Sequence, residues 1–404
     1  VKTGDFNELK EIVRDLATAY RARGHETHIL TTHRPSQSRE ILRGDGVTSL
    51  PSGYRPSLRH WLSLWRPAMS RMVSQEIAHF RPDAVHAHNL HIHLTFDALR
   101  QARRHTAQVL LTLHDAMAFA EGRIATARYL DHEDPKLSFA DRIAMVGLQY
   151  NPLRNPFIRR MINRNATKTV AVSAAVAQAA ERHGLQDVGV VHNAVDLREW
   201  GAPEADAAAF REQHGLGGRK VVLFAGRLRE EKGVIALARA IERLRKTRPE
   251  TVLVIVGEEA RWHGLARESN LPEEVRKACV PVGWLTQKNL RVAYAACDVV
   301  AVPSIYLDPF VLVNLEAMAS GKPVVGTRFG GTPEIVRDGE TGFIVDPRDT
   351  DAFATALGRV LADPQLAACM GTAGRTRAEA EFAPNRQVEA YLSLLGADAP
   401  KIHA

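Results

Sequence analysis

A chain of 404 residues, 45% hydrophobic and 25% charged, is sized for two globular domains of about 150–200 residues each. No run approaches the ~18 apolar residues of a membrane span, the charged opening VKTGDFNELKEIVRDL lacks a signal peptide's apolar core, and Cys279, Cys297 and Cys369 fit neither a disulfide framework nor a zinc pattern. These features predict a cytoplasmic protein, and a formal net charge of +7 favours acidic partners without choosing between phosphates, anionic lipid and nucleic acid.

The opening reads as a loop entering a helix, which leaves room for a strand ahead of it. From there one rhythm recurs: a short β-rich run, a turn, an amphipathic helix. Strands are predicted at Thr27–Thr31, Ala84–Ala87, Gln108–Leu113, Lys168–Val172 and Gly189–His192. Between Ala116 and Asn165 the pattern is helical without a strand, an insertion suited to a lid or an acceptor wall. The polar, small-residue stretch 193–218 separates this series from a second one at Lys220–Ala225, Thr251–Val256, Val299–Val302, Pro323–Thr327 and Gly342–Val345. Runs such as VVLFAG and TVLVIVG are too short and too β-branched for helices and read as strands buried on both faces. Alternating strands and helices specify parallel sheets of βαβ units. The expected fold is therefore α/β, with two facing Rossmann-like doubly wound domains at 1–195 and 196–382. Facing domains of this kind place strand C-termini and helix N-termini on both walls of a cleft.

The strongest chemical signal is Gly226-Arg227-Leu228-Arg229-Glu230-Glu231-Lys232-Gly233, directly after KVVLFA. Gly226 lets backbone approach a ligand. Arg227 and Lys232 bring two cations to a strand's C-terminal end, where the helix GVIALARAIERL aims its N-terminal amides. That combination suits a diphosphate leaving group, which needs donors and positive charge; an ordinary charged surface loop is the competing reading. The second signal follows VVAVPS, where Asp308 and Glu316 stand in a D-x7-E spacing. Asp308 falls in a loop and Glu316 about two turns into the next helix. A carboxylate between Leu315 and Ala317 needs a partner if buried, and a ribose diol would serve. An exposed Glu316 and a helix-starting Asp308 are the alternative.

With these motifs in this order, the sequence resembles the family-4 retaining glycosyltransferases of the GT-B fold, from RGHETHILTTH to FGGTPEIVRDGETGFIVDP and most specifically in its C-terminal half. The resemblance implies that Arg227 and Lys232 grip the donor diphosphate, that Glu316 holds the nucleotide ribose, and that Asp308 faces the donor sugar. It assigns the amides around Phe310, Val311 and Leu312 to the helix start that contacts sugar and phosphate. His114, in LTLHD, matches the histidine near the reacting sugar, His88 falls on the acceptor side, and Gly4 matches a glycine loop that approaches the donor phosphates. The segment 383–404 is implied to cross back as a helix to the N-terminal domain. Asp308 is one methylene shorter than the usual glutamate, Val311 stands where glycine is common, and Thr3-Gly4-Asp5 replaces a double glycine.

The implied reaction moves a sugar from a nucleotide diphosphate sugar, as co-substrate, to a saccharide, lipid-linked or small-molecule hydroxyl. It needs no metal or further cofactor, and attack comes from the face that the diphosphate leaves. A noncatalytic nucleotide-sugar-binding relative and a sugar-nucleotide epimerase of the same fold stay open beside it. Asp349-Thr350-Asp351 resembles a metal-binding D-x-D but precedes a helix, where it reads as a cap. The cluster His86, His88, His91 and His93 reads as strand and loop residues without convergence. No G-x-G-x-x-G marks a dehydrogenase, and no module marks a nucleic-acid binder.

Leu58-Arg59-His60-Trp61-Leu62-Ser63-Leu64-Trp65-Arg66, if helical, puts Leu58, Trp61, Leu62 and Trp65 on one face with arginines beside it. An interfacial helix and a core-packed helix both fit. Arg154, Arg159, Arg160 and Arg164 form a second basic stretch. Together they predict peripheral contact with an anionic membrane at its inner face.

Overall fold

A computed structural model describes residues 7–53, 58–91 and 93–396. The chain forms two compact units, one holding the described residues 7–129, Asp134–His192 and 385–396, the other Leu130–Glu133 and Asn193–Pro384.

The first unit contains β1 (Ile29–His33), β2 (Leu42–Gly44) and β3 (Val47–Pro51) in the order β1-β3-β2. Strands β4 (Ala84–His88), β5 (Gln108–Leu113), β6 (Lys168–Ala171) and β7 (Val188–Val190) form a second, parallel sheet in chain order. The β2–β3 hairpin does not appear among the strands expected from sequence. Its turn is Asp45-Gly46, both at positive φ (50° and 71°), the signature of a two-residue hairpin. The exposed Leu42–Gly44 supplies no apolar alternation to reveal it. From Ala116 to Asn165 the described residues hold helices and turns without a strand. The last helix, Pro384–Leu394, buries Val388, Tyr391 and Leu392 against Leu16, Leu110, Val170 and Val191 of this unit. The chain thus returns to its first unit after completing the second.

The second unit carries one six-stranded sheet: β8 (Lys220–Ala225), β9 (Thr251–Val256), β10 (Cys279–Gly283), β11 (Val299–Val302), β12 (Val324–Thr327) and β13 (Gly342–Val345). All pairs are parallel, in the order β10-β9-β8-β11-β12-β13. Every residue of β9 is buried, as its run of apolar residues requires. Strand β10 is missing from the sequence expectation because Pro281 and Gly283 break its run. It lies at the sheet edge and shifts register between those two residues, where proline is tolerated. Helix Val234–Arg245 buries Val234, Leu237, Ala238, Ala240, Ile241 and Leu244, an apolar stripe at helical spacing. Truncating Leu237 to alanine would cost ~2–5 kcal/mol.

This strand order fixes where a ligand can sit. The chain runs outward from β8 to β10, then jumps back to β11 on the other side of β8. The chain thus continues from β8 toward β9 on one side and from β11 toward β12 on the other, a topological switch point, and open α/β sheets bind ligands at the strand carboxyl ends of such points. Both sequence motifs occupy the loops leaving β8 and β11.

Candidate functional site

The loop after β8 is shaped by two glycines. Gly226 takes φ 150° as the chain leaves the strand, and Gly233 takes φ 73° after the single turn Glu230–Lys232. A Cβ on Gly233 would collide with the carbonyl of Pro303 in the loop after β11, so only glycine permits the crossing. Ile305 N–H donates to the Glu231 carbonyl at 2.7 Å, which ties the two loops by backbone.

Side chains complete the tie. Lys232 Nζ donates to Asp308 Oδ2 at 2.7 Å, and Ser304 Oγ donates to the same oxygen at 2.7 Å. The Tyr306 ring lies under the ammonium, 5.4 Å from its centroid, and its hydroxyl bonds to both ions. Ser304, Tyr306 and Asp308 are buried. Burial alone would lower the Lys232 pKa; the Asp308 carboxylate more than reverses this and holds it above the ordinary value. Burial, then the Asp308 charge, pushes the Tyr306 phenol up. Burial and the neighbouring Arg229 lower Arg227. Asp308 is also fixed by its backbone: its carbonyl accepts from Gly331 N–H at 2.9 Å, and a Cβ on Gly330 would collide with it.

Helix Leu312–Ala319 begins four residues beyond Asp308. Its N-cap, Val311, makes no side-chain cap; the Asn314 N–H donates to the Val311 carbonyl at 3.0 Å, and the helix start points its dipole ahead of Leu312. Phe310 and Val311 are buried. Glu316, half-buried on this helix, accepts a 2.6 Å hydrogen bond at Oε2 from the hydroxyl of the fully buried Tyr294. Sequence reasoning missed Tyr294, whose only signal was a phenol on the apolar face of RVAYAA. Gly226, Arg227, Lys232, Asp308, Phe310, Val311, Leu312 and Glu316 all belong to the second unit.

His88 and His114 belong to the first unit, where β4 and β5 end side by side. His88 Nδ1 and His114 Nε2 share a hydrogen bond at 2.9 Å. His86 bonds Thr112 Oγ1 at 2.8 Å and Tyr20 OH at 3.3 Å. Burial lowers all three histidines, His86 to about 3, His114 to about 4 and His88 well below its ordinary value, so each is a neutral imidazole near pH 7. His91 instead faces Asp115 at 3.8 Å, and His93 bonds Ser52 Oγ at 3.2 Å. The four histidines of VHAHNLHIH thus have separate partners, and among the described residues no group of three or more ligands is placed to hold a metal. Asp349 caps helix Thr350–Ala362 by accepting from Ala352 N–H at 2.9 Å. Gly4 lies outside the described residues.

The Leu58–Arg66 segment holds a single helical turn, Arg59–Leu62. Leu58, Trp61 and Trp65 are 46%, 50% and 53% exposed, so core packing does not account for them. Arg154 corrects the second basic stretch: it is buried and donates to the carbonyls of Met117 and Ala120, so only Arg159, Arg160 and Arg164 are surface charges. Among the described residues no helix is long and apolar enough to cross a membrane.

Comparison with known proteins completes the assignment. The chain is 31% identical over 401 residues to the D-inositol 3-phosphate glycosyltransferase of Streptomyces scabiei, a match covering 93% of this chain and 83% of that relative. It belongs to the family-4 glycosyltransferases of the GT-B fold. The family described as Glycosyltransferase Family 4 matches residues 10–199, and Glycosyl transferases group 1 matches residues 206–377. The chain spans about half the length of several other curated relatives that it matches. Among them is the GDP-mannose-dependent alpha-(1-6)-phosphatidylinositol monomannoside mannosyltransferase of Mycolicibacterium smegmatis, 42% identical over 181 residues, 43% of this chain and 47% of that protein. The crystal structure of Anabaena HepE with UDP superposes with a TM-score of 0.71 at 21% identity, covering 98% of each chain, and shares the fold.

Proposed function

We propose that this glycosyltransferase transfers a sugar, with retention, from a nucleotide diphosphate sugar to a hydroxyl of a saccharide, lipid-linked or small-molecule acceptor. The observation that carries the reading is the Lys232–Asp308 pair, which joins the loops of β8 and β11 at the switch point, beside an uncapped helix start and Glu316. In this proposal Glu316 accepts from the ribose hydroxyls. Arg227, Lys232 and the amides of Phe310, Val311 and Leu312 hold the diphosphate, with Gly226 giving it room.

The C–O bond between anomeric carbon and phosphate breaks, and negative charge grows on the leaving diphosphate. Two cations and a helix dipole aimed there stabilise that charge without a metal. The acceptor oxygen attacks from the departing face and gives its proton to a phosphate oxygen. His114, a neutral imidazole, orients sugar hydroxyls, and His88 sits on the acceptor side. The test is transfer from GDP-mannose, the donor named for the Mycolicibacterium smegmatis relative, and from a panel of GDP- and UDP-sugars. Release of nucleoside diphosphate with formation of an α-linked product supports the reading; binding without turnover of any sugar defeats it.

The exposed Leu58, Trp61 and Trp65 beside Arg59 and Arg66 favour peripheral contact with an anionic membrane at its cytoplasmic face. Sedimentation with phosphatidylglycerol vesicles at low salt should be lost in a W61A/W65A variant. Wild-type protein that ignores such vesicles removes this part of the proposal.

A further inference from the structure

We propose that Tyr294 is a positioning residue for the donor, holding the Glu316 carboxylate in the one orientation that receives the ribose. This rests on the reading of Glu316 given above. A glutamate on a helix surface has three rotatable bonds and loses that freedom when it engages a ligand. Glu316 has already lost part of it: its Oε2 is held at 2.6 Å by the Tyr294 hydroxyl. Tyr294 is itself packed in place. It is fully buried on helix Gln287–Ala296 and meets the edge of Trp200 with ring centroids 5.4 Å apart at 82°. Trp200 in turn lies under the Arg291 guanidinium at 5.9 Å.

The chemistry gives the phenol a fixed polarity. Burial first, then the charge of Glu316, raises the Tyr294 pKa well above its ordinary value, so it stays a donor throughout the working range. A donor on one carboxylate oxygen locks the plane of the group and leaves it an acceptor toward hydroxyls. Ribose hydroxyls are donors to such a group. A diphosphate is not, so the device acts on the sugar of the nucleotide and not on its phosphates. A rigid acceptor backed by a packed phenol is how a site gains affinity through preorganisation.

The experiment measures dissociation constants of GDP and UDP and of their 2′,3′-dideoxy forms for wild type, Y294F and E316Q by calorimetry, together with donor KM and kcat. Wild type should prefer the ribonucleotide by roughly tenfold or more, the range of a hydrogen bond to a charged group. Y294F should weaken the ribonucleotide about tenfold, leave the dideoxy form unchanged, and raise donor KM while kcat at saturation stays within about twofold. Combining Y294F with E316Q should add little beyond E316Q alone, because both changes act through one interaction. If Y294F does not fold, Y294M, smaller but flexible, apolar and without the hydroxyl, takes its place. Equal weakening of both nucleotide forms in Y294F, or undiminished preference for ribose, overturns the inference. A wild type that does not distinguish the two forms, or binds neither, overturns the ribose role of Glu316 and this inference with it.

Discussion

Replacing Asp308 with asparagine separates charge from shape at the candidate site. The carboxylate is buried, with Lys232 Nζ and Ser304 Oγ both 2.7 Å from Oδ2. Removing one partner of a buried ion pair typically costs ~3–5 kcal/mol, because the other charge is left without compensation. Asparagine keeps an acceptor and nearly the same volume, so the loss in D308N should fall lower, at roughly 2–3 kcal/mol. For a unit of this size that corresponds to a fall in Tm of about 5–10 °C.

A nucleoside diphosphate bound at Lys232 restores the missing charge, so the rise in Tm on adding GDP or UDP should be larger in D308N than in wild type. The pH dependence has a definite sign. Lys232 has a folded pKa above its ordinary 10.5, so its contribution is complete below that value and lost as pH rises through the folded one. Without the Asp308 charge, burial dominates and the loss moves toward neutral pH. Differential scanning fluorimetry across pH 7–10, with and without nucleotide, checks both effects. Unchanged Tm and unchanged nucleotide response in D308N would show that Asp308 does not govern the charge of Lys232.

Two further outcomes are expected. K232A should lower kcat by about 10²–10³-fold, the range for losing one stabiliser of developing charge, with circular dichroism unchanged; steady-state transfer rates test it, and wild-type turnover would refute the assignment. The depressed histidines His86, His88 and His114 make the first unit acid-sensitive. Each folded pKa lies below the unfolded 6.5, so the unfolded chain binds more protons, and stability falls as pH drops from about 6.5 toward 4. Urea midpoints for the N-terminal unit should therefore be lower at pH 5 than at pH 7, and H86Q should reduce the difference.

The second unit was legible because its signals are local. Runs such as Thr251–Val256 are apolar throughout, and a strand buried on both faces admits little else. The cations after β8 and the acid spacing after β11 were also local, and the strand order sets those two strands side by side. What escaped was non-local or weakly patterned. Strand β10 is broken by Pro281 and Gly283, and β2 is exposed along its length, although Asp45-Gly46 was a turn signal in plain view. The pairing of Asp308 with Lys232 spans two loops, and the bond of Tyr294 to Glu316 joins two helices. No periodicity within one element encodes either contact. Arg154 misled for a related reason: a run of arginines reads as surface until one of them is needed by buried carbonyls.

The aspartate at 308, one methylene shorter than the glutamate that the resemblance implies, yields the last prediction. Its backbone cannot retreat, since Gly331 N–H holds its carbonyl and Gly330 presses against it. An added methylene in D308E therefore carries the carboxylate about 1.5 Å farther along the side chain. Ser304 is buried and cannot follow, while the long Lys232 side chain can. The longer acid should keep its hold on the ammonium and lose the serine, at an overpacking cost of roughly 1–3 kcal/mol. Negative charge then stays beside Lys232 on a longer, freer arm, so nucleotide-induced stabilisation should fall below that of wild type, opposite in sign to D308N. Opposite signs identify Asp308 as a counterion tuned by charge. If both substitutions shift the nucleotide response in the same direction, Asp308 acts through the geometry of the two loops, and the electrostatic account of this pair fails.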